Sequence, residues 1–114
     1  MSSQQNLGRF DFIAVLKYRT TKEGGRRGPA FSGYRPGIQF SFSNMQTSGD
    51  QTFLDREIVY PGETVEAGII IVSVPYFAGK LIEGMPFEFK EGATIIGTGV
   101  IKTILNPILR QACR

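Results

Sequence analysis

The 114-residue sequence predicts an all-β domain of six strands, a barrel or a sandwich, with the barrel favoured. Three observations carry that expectation. The chain is rich in β-branched residues, with twelve Ile, six Val and eight Thr, grouped in short segments punctuated by Gly and Pro. Several segments alternate apolar and polar side chains, the two-residue period of a half-buried strand. No stretch shows a sustained helical period. Long strands with internal glycines favour a sheet that closes on itself over an open sandwich.

The elements follow in order. From Arg9 to Arg19, Phe10, Phe12, Ala14, Leu16 and Tyr18 point one way, and Asp11, Ile13, Val15, Lys17 and Arg19 the other. Thr20 to Pro36 is a connection of seventeen residues without periodicity; connections that long usually serve a function or are disordered. Ile38, Phe40 and Phe42 alternate with Gln39, Ser41 and Ser43 as a second strand. Asn44 to Asp50 is polar and turn-like, with a short strand at Gln51–Leu54 and an apolar step at Glu57–Tyr60. Pro61-Gly62 is a turn. Thr64–Val74 reads as a long strand with Val65, Ala67, Ile69 and Ile71 on one face, ended by Pro75. Gly79 to Gly84 is a loop, and Phe87 and Phe89 alternate with Glu88 and Lys90. Glu91-Gly92 turns the chain into Thr94–Leu105, where Gly97 and Gly99 suggest a bend or bulge. The only helical candidate is Pro107–Arg114, too short to stand alone. Residues 1–8 read as a polar tail, 9–105 as one barrel domain and 106–114 as a C-terminal tail.

Composition excludes much chemistry. The absence of His removes the histidine general base, the Ser-His and Cys-His nucleophile pairs and histidine metal ligands. A lone Cys113 excludes an intrachain disulfide and a cysteine-rich zinc site, and it reads as a bystander thiol. Asp55, Glu57, Glu88 and Glu91 fall on strands and turns as solvent-facing charges rather than acid–base pairs. Gly24-Gly25-Arg26-Arg27-Gly28 and Gly79-Lys80 both lack the order of a nucleotide P-loop. The expectation is a protein that is not an enzyme and needs no cofactor. The first residues lack a signal-peptide core, and Ile69–Val72 is far short of a membrane span, which points to the cytoplasm and no membrane partner.

Charge is the informative feature. Residues 1–35 contain Arg9, Lys17, Arg19, Lys22, Arg26, Arg27 and Arg35 against Asp11 and Glu23, a net +5, while the remainder carries −2. Such asymmetry fits a surface that meets phosphates or an acidic protein. Arg26-Arg27 also reads as an ordinary solvated loop, and Arg35 before Pro36 as a structural hydrogen-bonder. Phe31 and Tyr34 could stack on bases, although in a β domain such rings more often pin a long loop to the barrel.

Glu23-Gly24-Gly25-Arg26, then Pro29, Phe31 and Gly33-Tyr34-Arg35-Pro36, resembles the third, C-terminal barrel domain of elongation factor Tu. Pro61-Gly62-Glu63, Pro75, Phe87, Lys90-Glu91-Gly92 and Gly97-Thr98-Gly99-Val100 continue the likeness over roughly 9–105. The resemblance implies an antiparallel six-stranded barrel that helps hold aminoacyl-tRNA by its backbone, with no GTPase machinery of its own. It carries Arg26 and Gly92 over as backbone contacts and places Gln46 near a third. With Arg27, Arg35 and Lys22, these are the candidate RNA-binding residues. Val74 and Thr94 stand where relatives carry cations, and Gly37 where they carry Gln, near the seam with the GTPase domain. Met1 and the dissimilar tail Asn106–Arg114 favour a natural stand-alone domain. Its former interdomain face must then be polar, or covered by a second copy or a partner. Two functions follow: RNA-backbone binding with tRNA as the expected partner, or a protein-interaction module that imitates elongation factor Tu and binds a protein recognising it.

Overall fold

The computed structural model describes residues 7–112. Six strands form a closed barrel: β1 (Phe12–Tyr18), β3 (Gly37–Phe40), β4 (Gln46–Phe53), β6 (Thr64–Ile71), β7 (Pro86–Glu91) and β8 (Thr94–Ile104). Around the barrel they run β1-β6-β4-β3-β7-β8, and every neighbouring pair is antiparallel. The expected all-β closed barrel is the observed one. Two further short strands, β2 (Ala30–Phe31) and β5 (Ile58–Val59), pair with each other at one end. The long connection after β1 is therefore structured. Ala30 and Val59 lie opposite each other, both buried, so two residues of alternation suffice to dock it.

Inward alternation fills the barrel as the strand pattern predicts. Phe12, Ala14, Leu16 and Tyr18 of β1 and Val65, Ala67, Ile69 and Ile71 of β6 are all buried. Two groups of rings pack edge to face. Phe12 meets Phe40 and Phe87 with centroids 6.2 and 5.9 Å apart, and Tyr18 meets Phe89 at 4.9 Å. Gly97 and Gly99 leave room for this packing. A Cβ on either would collide with the ring of its cross-strand partner, Phe89 or Phe87. They are not the bulges. The register of β8 slips at Ile96 against β7 and at Lys102 against β1, one residue before and three after the glycine pair.

Several strand limits differ from the sequence expectation. β4 starts at Gln46 rather than Gln51, because its inward positions are Thr47, Gly49 and Gln51 as well as Phe53. Those residues carry no apolar signal, so the alternation is invisible until it is seen as burial. β3 ends at Phe40, and Phe42 lies within the turn that follows, closed by Ser43 N–H donating to the Phe40 carbonyl. β6 ends at Ile71; Val74–Phe77 form a 3-10 turn that lowers Phe77 into the open end of the barrel as a plug.

The C-terminal segment is part of the fold. Pro107–Leu109 form a 3-10 turn rather than a longer helix, with Asn106 capping Ile108 N–H and Leu109 fully buried. Leu81 and Arg110 make a parallel bridge. Asp11 ties the segment down: its carboxylate accepts from Asn106 Nδ2 at 3.0 Å and from the Ile71 N–H at 2.8 Å. Asp11 is thus a buried junction rather than a solvent-facing residue. The tail at 1–6 and Cys113 lie outside the described residues. Among the described residues no helix is long and apolar enough to cross a membrane.

Candidate nucleic-acid interface

The basic loop begins where β1 leaves the barrel, and its first turn is built by reciprocal capping. Glu23 N–H donates to Thr20 Oγ1 at 3.0 Å, and Thr20 N–H donates to Glu23 Oε1 at 2.9 Å. The Thr20 backbone N–H, helped by Lys17 and Arg19, holds the Glu23 carboxyl below the usual carboxylate range. Gly24 then takes a φ of +97°, and Gly25 packs so closely that a Cβ would lie 2.5 Å from the Arg19 carbonyl oxygen. Both glycines are accounted for by this turn.

Arg26 is committed within the protein. Its guanidinium forms an ion pair with Glu91 at the end of β7, donates from Nε to the Gly28 carbonyl at 3.3 Å, and donates from Nη2 to the Pro29 carbonyl at 3.0 Å. It also lies over the Tyr34 ring, 4.8 Å from the centroid, while the Tyr34 hydroxyl donates to the same Glu91 carboxylate. Burial, and then the bond to Glu91, push the Tyr34 phenol well above its ordinary value. Arg26, Tyr34 and Glu91 therefore form a latch that fixes the loop to the β7–β8 turn. Glu91, read from sequence as a solvent-facing charge, is the keystone of that latch; nothing local in the sequence marks it.

The other candidates divide by position. Lys22 and Arg27 are exposed and join no ion pair among the described residues. Arg35 is exposed and sits 3.6 Å from Asp50. Gly92 opens the two-residue β7–β8 turn with a φ of +61°, directly after Glu91. Gln46 lies further along the outer wall: it pairs with Gln39, and its Oε1 lies 2.6 Å from where a Gly37 Cβ would stand. Gly37 is paired in turn with Lys90. Arg26, Gly92 and Gln46 thus fall along one wall, while Lys22 and Arg27 project from the loop at its end. Val74 instead packs against the core just past the start of β4, where Ser73 N–H donates to Thr47 Oγ1 at 3.3 Å.

The wall around Gly37 carries Gln39, Gln46, Ser48, Glu88 and Lys90, with Lys90 Nζ donating to Gln39 Oε1 at 2.7 Å. Tyr34 pins the loop as expected, but Phe31 does not; its ring is 58% exposed. Sequence reasoning also missed an aromatic cleft at the opposite end, formed by Phe42, Tyr76 and Phe77 beside Lys80. Fold and site together define a closed antiparallel barrel with a basic loop latched at one end. No protein-family model matches the chain.

Proposed function

We propose that this protein is a non-enzymatic, translation-factor-like barrel that binds RNA backbone, with tRNA as the expected ligand, in the cytoplasm. The observation that carries the reading is the net +3 of Thr20–Pro36, with Lys22, Arg26, Arg27 and Arg35 against Glu23, on a loop held in place by the Arg26–Glu91–Tyr34 latch. A fixed loop presents Lys22, Arg27 and Arg35 with little ordering entropy left to lose on binding. Contacts of this kind read phosphates and position the partner, largely without regard to sequence. The resemblance to the third barrel of elongation factor Tu supports the same class of ligand. Fluorescence anisotropy with labelled tRNA and an unrelated duplex RNA, over a salt series, tests it. Saturable binding whose log-affinity falls steeply with log-salt is the expected result; flat titrations at low salt overturn it.

A second reading is a protein-interaction module that imitates the elongation-factor barrel without binding RNA. Its specific support is the engagement of Arg26 inside the protein, together with Val74 and Thr94 at positions where relatives carry cations. It gains if the RNA titrations are flat.

A further inference from the structure

The end of the barrel opposite the basic loop is chemically distinct. Phe42 and Tyr76 are 44% and 59% exposed, and they border a cleft completed by Ser43, Lys80 and the buried ring of Phe77. Both rings stand edge-on to Phe77, with centroids 6.3 and 6.0 Å from it at 72°. Phe42 is also stacked on Phe40, nearly parallel at 9° and 5.9 Å, so one face is supported from within while the ring remains nearly half exposed. Isolated exposed hydrophobics are ordinary on protein surfaces; two aromatic rings bordering one cleft are not.

Lys80 is the one charged side chain that lines this cleft. Between 41 and 48, and again between 72 and 82, the only ionisable side chains are Tyr76 and Lys80, and neither segment contains an acid. A flat, π-rich recess with a single ammonium at its edge is complementary to a planar ring that carries a nearby anion. The recess also lies beyond Gln46, at the far end of the wall that starts at Gly92 and Arg26.

We propose that this cleft binds an unpaired nucleotide of single-stranded RNA, the base stacking on Phe42 and Tyr76 and its phosphate meeting Lys80. The assignment rests on the RNA reading above and refines it. A duplex would be held by the basic loop alone, whereas a strand with an unpaired end would also engage the cleft. Base–aromatic stacking tolerates any sequence, because every base offers a π-face.

The test uses the full chain and two probes. In anisotropy titrations, Phe42→Ala and Tyr76→Ala are expected to weaken an eight-residue oligouridine by about ten-fold each. Their affinity for a duplex RNA, and the salt slope of both ligands, should stay unchanged. Arg27→Ala should flatten the salt slope of both. Equal losses on duplex and single strand, or no loss on either, overturn the cleft. The second probe is adenosine monophosphate alone, followed by amide chemical shifts in the 15N-labelled protein. Shifts at 42–44 and 76–80 that ribose 5-phosphate does not reproduce support stacking, even where the basic loop binds no RNA. Silence at those amides, or shifts produced only by an acidic aromatic peptide, overturns the assignment. The exposure of both rings makes either alanine variant tolerable to the fold, and retention of the wild-type amide spectrum elsewhere checks it.

Discussion

The Arg26 guanidinium and the Glu91 carboxylate, 65 residues apart in the chain, pair with each other, and Tyr34 bonds to the same carboxylate. Arg26→Ala should therefore act on stability before it acts on binding. The pair is partly exposed, so its Coulombic share is small, but two carbonyls and the cation–π contact go with it. The expected cost is about 1–2 kcal/mol in urea unfolding, with faster amide exchange across Gly28–Tyr34. Unchanged stability and exchange would show that the latch holds nothing.

Arg27→Ala and Lys22→Ala should behave in the opposite way. Both side chains are exposed and neither forms an ion pair among the described residues. Unfolding midpoints should not move, while each variant reduces the slope of log-affinity for RNA against log-salt by about 0.7–1. Comparing them with Arg26→Ala separates a phosphate contact from a structural one.

Inside the barrel, the Tyr18 hydroxyl donates to Gln51 Oε1 at 2.5 Å, and the buried Gln51 Nε2 has no partner among the described residues. Tyr18→Phe leaves the amide oxygen unpaired as well and should cost about 1–2 kcal/mol. Combining it with Gln51→Leu removes every polar atom of the pair. The double variant should regain the loss or exceed the parent in chemical denaturation, a non-additivity that a merely steric effect would not give.

Alkaline pH should loosen the fold through two phenols. Burial pushes Tyr18 and Tyr34 well above their ordinary value of 10.0, so both keep their protons in the folded state. Above that pH the folded chain binds more protons than the unfolded one. The associated stability is complete below about pH 10 and is lost as pH rises further. Tyrosinate absorbance followed alongside circular dichroism should show a late step that coincides with unfolding. The Tyr18→Phe, Tyr34→Phe chain should lack that step.

Leu109 is fully buried although it belongs to the C-terminal segment. Leu109→Ala should destabilise by about 2–5 kcal/mol, the cost of a core cavity rather than of a frayed end. A thermal midpoint within a degree of the parent would place that segment outside the cooperative unit.

The strands legible in the sequence were those whose inward residues are apolar. β1, β6 and β7 alternate plainly, and Phe87 and Phe89 point inward as their spacing says. β4 was not legible over its first half, because Thr47, Gly49 and Gln51 face the core without looking like core. Phe42 failed in the other direction: it completes an alternating run, yet it falls inside the turn that ends β3. The basic loop was visible as a charge asymmetry, but composition and spacing alone could not separate Arg26 from Arg27. One is consumed by a carboxylate on a distant hairpin and the other is not, a difference set by tertiary contact alone.

The barrel is sealed by its first strand against its last, with Phe12 opposite Ile104 and Tyr18 opposite Gly97. During synthesis that seam cannot form until the final strand has left the ribosome. Until then the emerging sheet has two unpaired margins, along β1 and β7, each able to recruit a strand from a neighbouring nascent chain. Completion therefore depends on contacts that span almost the entire polypeptide, the slowest kind to establish. A ribosome stalled before Ile101–Ile104 would hold an open, adhesive sheet rather than a smaller barrel.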